Sequence, residues 1–216
     1  MLFKDREDAA KQIAACLADY KNSDDAVIVA IAKGGVPLAA VVTKELQISP
    51  SVIFVHKIIS ESHPQVALGA ISDSGVVMLN DHLIELLGIS TRYTDTQIET
   101  AKVSLESCKE EMAKILPPVD LQNKTVIIVD DGIATGVTMK VVIASLVNQG
   151  CKKIIVATPV GSLETIRFLE KHVDEVICRH KTQYFHSLDH FYKSFPSIDP
   201  EEMIQIVLGF SALTSA

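Results

Sequence analysis

Asp130 and Asp131 stand side by side at the end of an apolar, largely β-branched run, Thr125-Val126-Ile127-Ile128-Val129. Adjacent like charges repel, so both carboxylates need partners. Ending a strand and capping a helix would account for one aspartate but not for two. Gly132-Ile133-Ala134-Thr135-Gly136-Val137-Thr138 follows, and a helix is expected to about Asn148, with Gly150 as its C-cap. Carboxylates accept hydrogen bonds from sugar hydroxyls. Loop amides, threonine hydroxyls and the positive end of a helix dipole donate to a phosphate. The stretch therefore suits a phosphorylated sugar. It is not a Walker A loop, since no Gly-Lys-Ser/Thr follows the glycine, and GxGxxG is absent.

A second candidate anion site is Ala32-Lys33-Gly34-Gly35-Val36-Pro37. Paired glycines let the backbone turn tightly and approach a ligand. Pro37 suits the first turn of a helix running to Leu46. An ordinary turn with a solvated Lys33 explains the same residues equally well. His56-Lys57 ends the strand-like run from Ser51, again polar chemistry at a strand's C-terminal end. Residues 58–74 lose regular pattern and contain Glu61 and His63, either of which could act as acid or base in a binding loop.

Other elements must position these groups. Residues 5–20 carry Ala9, Ala10, Ile13, Ala14 and Leu17 at helical spacing. Ala26 to Ile31 reads as a strand covered on both faces. A short strand at residues 75–80 is expected, paired with the segment before it. A short helix from Asp81 and a long surface helix from about Ser90 to Leu116 come next. Lys124 to Val129 and Lys153 to Thr158 are buried strands, the second closed by Pro159. A helix from Ser162 to His172, a last strand from Glu175 to Cys178 and a terminal helix from Pro200 to Leu208 complete the reading. Strands and helices alternate, which predicts an α/β fold: a parallel twisted sheet covered by helices on both faces.

Composition narrows the class. The 216 residues carry a net charge of -7 with 48% hydrophobic residues, which suits one folded domain, residues 1–216, rather than a disordered chain. No basic stripe is evident, which argues against nucleic acid. No apolar run reaches the roughly 18 residues a membrane span needs, and the charged N-terminus lacks a leader's apolar core. A cytoplasmic protein is expected. Cys16, Cys108, Cys151 and Cys178 show no CxxC spacing and read as buried free thiols. His180, His186 and His190 match no common zinc pattern.

The run Val126 to Thr138 closely resembles the phosphoribosyl-pyrophosphate loop of class I (type I) phosphoribosyltransferases. Ala30 to Pro37 resembles that family's pyrophosphate loop, and His56-Lys57 its basic pair. With His63-Pro64 and Leu68-Gly69-Ala70, the chain is similar to a subgroup of uncharacterised phosphoribosyltransferase-domain proteins. Lys33 and His56 stand where arginine is expected in that pattern. The resemblance implies an enzyme that moves a phosphoribosyl group from phosphoribosyl pyrophosphate to a purine- or pyrimidine-like acceptor and releases pyrophosphate. It assigns catalysis to Asp130, Asp131 and Lys57, and the 5′-phosphate to Ala134, Thr135, Gly136, Val137 and Thr138. Lys33, Gly34 and Gly35 would meet the pyrophosphate, with a cis peptide at Ala32–Lys33. Mg²⁺ would be held mainly by the substrate's own oxygens, with no direct protein ligand. Residues 58–116 would be an insertion and 179–200 a small hood, where Phe185 and Tyr192 are candidates to stack on the acceptor base. A homodimer is compatible with this reading. The alternative is a binding or regulatory protein of the same fold that senses a nucleotide or sugar phosphate without turnover.

Overall fold

A computed structural model describes residues 2–213, with side chains through residue 210. Met1 and residues 214–216, which the one-domain expectation includes, lie outside the described residues. Five parallel strands form the main sheet: β1 (Ala26–Ile31), β2 (Ser49–Ile53), β6 (Thr125–Val129), β7 (Lys153–Ser162) and β8 (Glu175–Thr182). Their order is β2-β1-β6-β7-β8. Alternation along β1 explains the two layers. Ala26, Ile28 and Ala30 join α1 (Arg6–Cys16), α2 (Gly35–Leu46) and α7 (Pro200–Leu213) in one core. Val27, Val29 and Ile31 face α5 (Val137–Asn148) and α6 (Leu163–Leu169) in the other. A period of two puts successive side chains on opposite faces, so an all-apolar strand is buried on both.

The remaining strands, β3 (Val55–Ile59), β4 (Ala67–Ser72) and β5 (Val77–Leu79), form a separate antiparallel sheet. It packs against α4 (Thr91–Ala113) and α5, while α3 (Asp81–Leu86) links β5 to α4. Ser51 to Lys57 is thus not one strand. Phe54 divides it: its N–H donates to Asp73 Oδ2 at 3.0 Å, and its carbonyl accepts from Asp73 N at 2.9 Å. This two-way contact turns the chain out of the parallel sheet. The expected irregular stretch 58–74 is correspondingly shorter, because β3 continues to Ile59 and β4 begins at Ala67. Serine hydroxyls join this sheet to α5, with Ser72 Oγ 2.7 Å from Ser145 Oγ.

Two strands outrun their expected ends. β7 continues through Pro159 to Ser162, and β8 runs to Thr182. Proline lacks an N–H, yet pairing resumes beyond it as Val160↔His180 and Gly161↔Lys181. Helix α6 starts after Ser162, which accepts from Thr165 N. It ends at Leu169, earlier than expected, where Lys171 N and His172 N donate to Phe168 O and Leu169 O in tighter turns. All four cysteines are free, but Cys16 is exposed and Cys108, Cys151 and Cys178 are half-buried rather than buried. Among the described residues no helix is long and apolar enough to cross a membrane.

Candidate sugar-phosphate site

The strand order places β1 beside both β2 and β6, so the connections leaving β1 and β6 depart to opposite sides. Such a switch point opens a crevice at the carboxyl ends of the strands, where ligands of open α/β sheets bind. A cavity of about 570 Å³ lies there. It is lined by Ala32 and Gly34 after β1, His56 and Lys57 on β3, and Asp130 to Gly136 with Thr138 after β6. Leu188 of the C-terminal segment closes one side.

Each loop is built for close approach. The Ala32–Lys33 peptide is cis. A Cβ on Gly34 would press on the Asp131 carboxylate, and one on Gly35 would collide with the Val129 carbonyl. Only glycine lets α2 begin this near β6. Gly136 takes the left-handed conformation, φ 71°, as it turns the chain into α5. The segment before it is tied to β7. Ile133 N donates to Val160 O at 2.9 Å, and Thr165 Oγ1 donates to Ala134 O at 2.7 Å.

Helix ends divide into two kinds. The N-termini of α1, α3, α4 and α6 receive side-chain caps from Asp5, Asn80, Ser90 and Ser162. Asp199 Oδ1 accepts from Glu202 N at the start of α7. The helices that start at the cavity, α2 and α5, receive no such cap from Gly34 or Gly136. At α2, Val36 N turns back to Lys33 O at 3.1 Å and Pro37 has no N–H, so Gly35 N is the amide it presents. At α5 the first amides are left for water or a ligand, with the positive dipole end behind them.

The two carboxylates have different surroundings. Asp131 is 6% exposed, and its Oδ2 accepts from Arg6 Nε at 2.9 Å. Burial pushes its carboxyl above the usual aspartate range, while Arg6 opposes the rise. Asp130 is only half-buried as a residue, and its Oδ1 accepts from Asp131 N at 3.0 Å. Its carboxyl is pushed well up, first by desolvation and then by the charge of Asp131; Lys57 and Arg6 act the other way. Asp130 is therefore the easier of the pair to protonate.

Several expected contacts lie elsewhere. Lys33 is exposed and its side chain is not part of the cavity lining; Val137 starts α5 and is likewise outside it. Phe185 packs on Phe191, with ring centroids 5.4 Å apart, away from the lining. Tyr192 is 1% exposed, and its hydroxyl donates to Asp131 O at 2.6 Å. Its ring lies against Phe3 and Phe195, so it supports the carboxylate loop and has no face for an acceptor base. Arg6 escaped the sequence reading although a signal was there. It shares the helical stripe of Ala9, Ala10, Ile13 and Ala14, and a charge on such a stripe needs a buried partner.

Among the described residues no cluster of three or more His, Cys, Asp or Glu could hold a metal ion. The two cavity aspartates, one of them already engaged by Arg6, do not make a resident Mg²⁺ site.

Comparison with known proteins bears on the family and the fold. The family described as "Phosphoribosyl transferase domain" matches residues 52–190. Provisionally named phosphoribosyl transferases from two strains of Mycobacterium tuberculosis are each 30% identical over 203 residues, 94% of this chain. The chain spans about half the length, 46%, of these relatives. The crystal structure of TT1426 from Thermus thermophilus superposes with a TM-score of 0.79 at 26% identity, covering 97% of this chain and 99% of that one.

Proposed function

Because the chain belongs to the phosphoribosyl transferase domain family, we propose that it transfers the phosphoribosyl group of phosphoribosyl pyrophosphate to a nitrogenous, purine- or pyrimidine-like acceptor. The observation that carries this reading is the pair of uncapped helix N-termini, α2 and α5, opening on one cavity on either side of two carboxylates. A ligand with a phosphate at one end, a diol in the middle and a pyrophosphate at the other end matches that spacing of charge.

In this proposal the amides and hydroxyls of Ala134, Thr135, Gly136 and Thr138 hold the 5′-phosphate at the start of α5. Val137 contributes through its backbone as the first residue of that helix. Asp130 and Asp131 accept from the ribose hydroxyls. Ala32, Gly34 and Gly35 present backbone to the pyrophosphate, and Lys57 supplies the positive charge that the exposed Lys33 does not bring to the cavity. Magnesium bound with the pyrophosphate would supply counter-charge to the leaving group.

The reaction is displacement at the anomeric carbon. The bond from that carbon to the pyrophosphate oxygen breaks, the acceptor nitrogen forms the new bond, and the acceptor's proton goes to base or water. Positive charge grows on the sugar as negative charge departs. Fixed charges that are already in place stabilise both without reorganising. Residues 60–66, with Glu61 and His63, connect β3 to β4 beside the cavity and are suited to cover it and keep water from the activated sugar. This segment is the proposed lid.

A release assay tests the proposal. Protein, phosphoribosyl pyrophosphate and Mg²⁺ are incubated with a panel of purines, pyrimidines and related heterocycles, and pyrophosphate is measured. Acceptor-dependent release is the expected result. Tight sugar-phosphate binding with no release across the panel would assign the fold to a binding protein without turnover.

A further inference from the structure

We propose that Arg6 is a positioning residue for the sugar site: from α1 it pins Asp131 Oδ2, fixes that carboxylate in one orientation, and leaves Asp131 Oδ1 and Asp130 to the ligand. The inference rests on the sugar-phosphate reading above for the identity of the ligand. It does not rest on it for the hold on Asp131.

Arg6 is built into its place from three directions. It is 9% exposed on the buried face of α1. Nε donates to Asp131 Oδ2 at 2.9 Å, and Nη1 donates to Pro196 O at 2.6 Å. The guanidinium lies over the Phe195 ring, 3.7 Å from its centroid. Tyr192, from the same C-terminal segment, holds the Asp131 carbonyl. Asp131 is thus fixed at both backbone and side chain, by groups that lie 125 and 61 residues away in sequence. A planar guanidinium aimed by a stacked ring and a carbonyl holds a carboxylate in a single geometry, which a lysine ammonium does only loosely.

The charged and titratable groups around Asp131 come from four elements. They are Arg6 of α1, Asp130 of the same loop, Lys57 of β3 and Tyr192 of the C-terminal segment. Burial and the neighbouring Asp130 both favour proton uptake by the pair. Arg6 is the group in direct contact that opposes it at Asp131. Removing the guanidinium while keeping a polar side chain should free Asp131 to take a proton and turn away from the diol.

The test uses Arg6→Gln and Arg6→Lys in the full chain. Carboxyl-carbon NMR of the ligand-free protein follows the titration of Asp131, and the same spectra report folding. Calorimetry measures phosphoribosyl pyrophosphate binding with Mg²⁺ from pH 5.5 to 8.5. In Arg6→Gln the Asp131 midpoint should rise by about one unit or more. Affinity should fall about tenfold at neutral pH, with its acidic limb moved to higher pH; Arg6→Lys should recover most of both. An Asp131 titration unchanged in Arg6→Gln overturns the proposal. So does an affinity loss that is the same at every pH, which is what a merely structural role would give. Wild-type protein that binds no phosphoribosyl pyrophosphate, with Asp131 titrating as expected, would overturn the ligand assignment and leave the hold of Arg6 on Asp131 supported.

Discussion

Asp130 and Asp131 are neighbours in sequence with opposite expected effects on stability. Asp130 has no cationic partner in contact, and both burial and Asp131 push its carboxyl upward. A raised folded value means that the native state binds more protons than the unfolded chain over the window above the ordinary aspartate range. Stability contributed by this group therefore falls as pH rises through that window, and the penalty is complete once pH exceeds the folded value. Asp130→Asn should abolish phosphoribosyl pyrophosphate binding and yet raise Tm by roughly 2–4 °C, the shift about 1 kcal/mol makes in a chain of this length. Asp131→Asn removes the partner of a buried guanidinium and should cost about 3–5 kcal/mol. Thermal unfolding of the two variants at neutral pH checks the sign of each.

At the scale of elements, the site depends on how closely α2 and β6 approach. Gly35→Ala places a methyl against the Val129 carbonyl, and backbone cannot yield as a side-chain tip can. The variant should lose about 1–3 kcal/mol or more and should also lose ligand affinity; denaturant unfolding and calorimetry read the two effects. Much of this scale was legible in sequence. The β-branched runs of β1 and β6 and the glycines after them led directly to the parallel core and its loops. The break at Phe54 was not legible, because Ser49 to Ile59 is one nearly continuous run and the turn is enforced by Asp73, which lies 19 residues away. The extension of β7 through Pro159 was hidden for a similar reason: proline reads locally as a stop, and only the pairing with β8 shows that the strand resumes. Tyr192 read as a candidate to stack on the acceptor base. What buries it is Phe3 at the other end of the chain.

At the scale of the whole molecule, the start of the described chain is joined to residues 191–193 beneath the carboxylates. Leu2 N and Phe3 N both donate to Phe191 O, and Lys193 N donates to Phe3 O. Phe3 is buried against Tyr192, whose hydroxyl holds Asp131 O. Phe3→Ala should cost about 3–5 kcal/mol and should weaken ligand binding although Phe3 does not line the cavity. A stability loss with affinity unchanged would show that the terminal contact serves the fold alone. The antiparallel sheet is joined to α5 by Ser72 of β4 and Ser145, so the helix proposed to receive the phosphate is tied to the sheet whose β3 bears Lys57.

The central claim is that the crevice between β1 and β6 binds phosphoribosyl pyrophosphate through Asp130 and the uncapped starts of α2 and α5. Calorimetric titration of wild type and Asp130→Asn with phosphoribosyl pyrophosphate and Mg²⁺ tests it most directly. The account predicts saturable one-to-one binding by the wild type and none by the variant, whose fold remains intact. Equal affinity in the two proteins would contradict it.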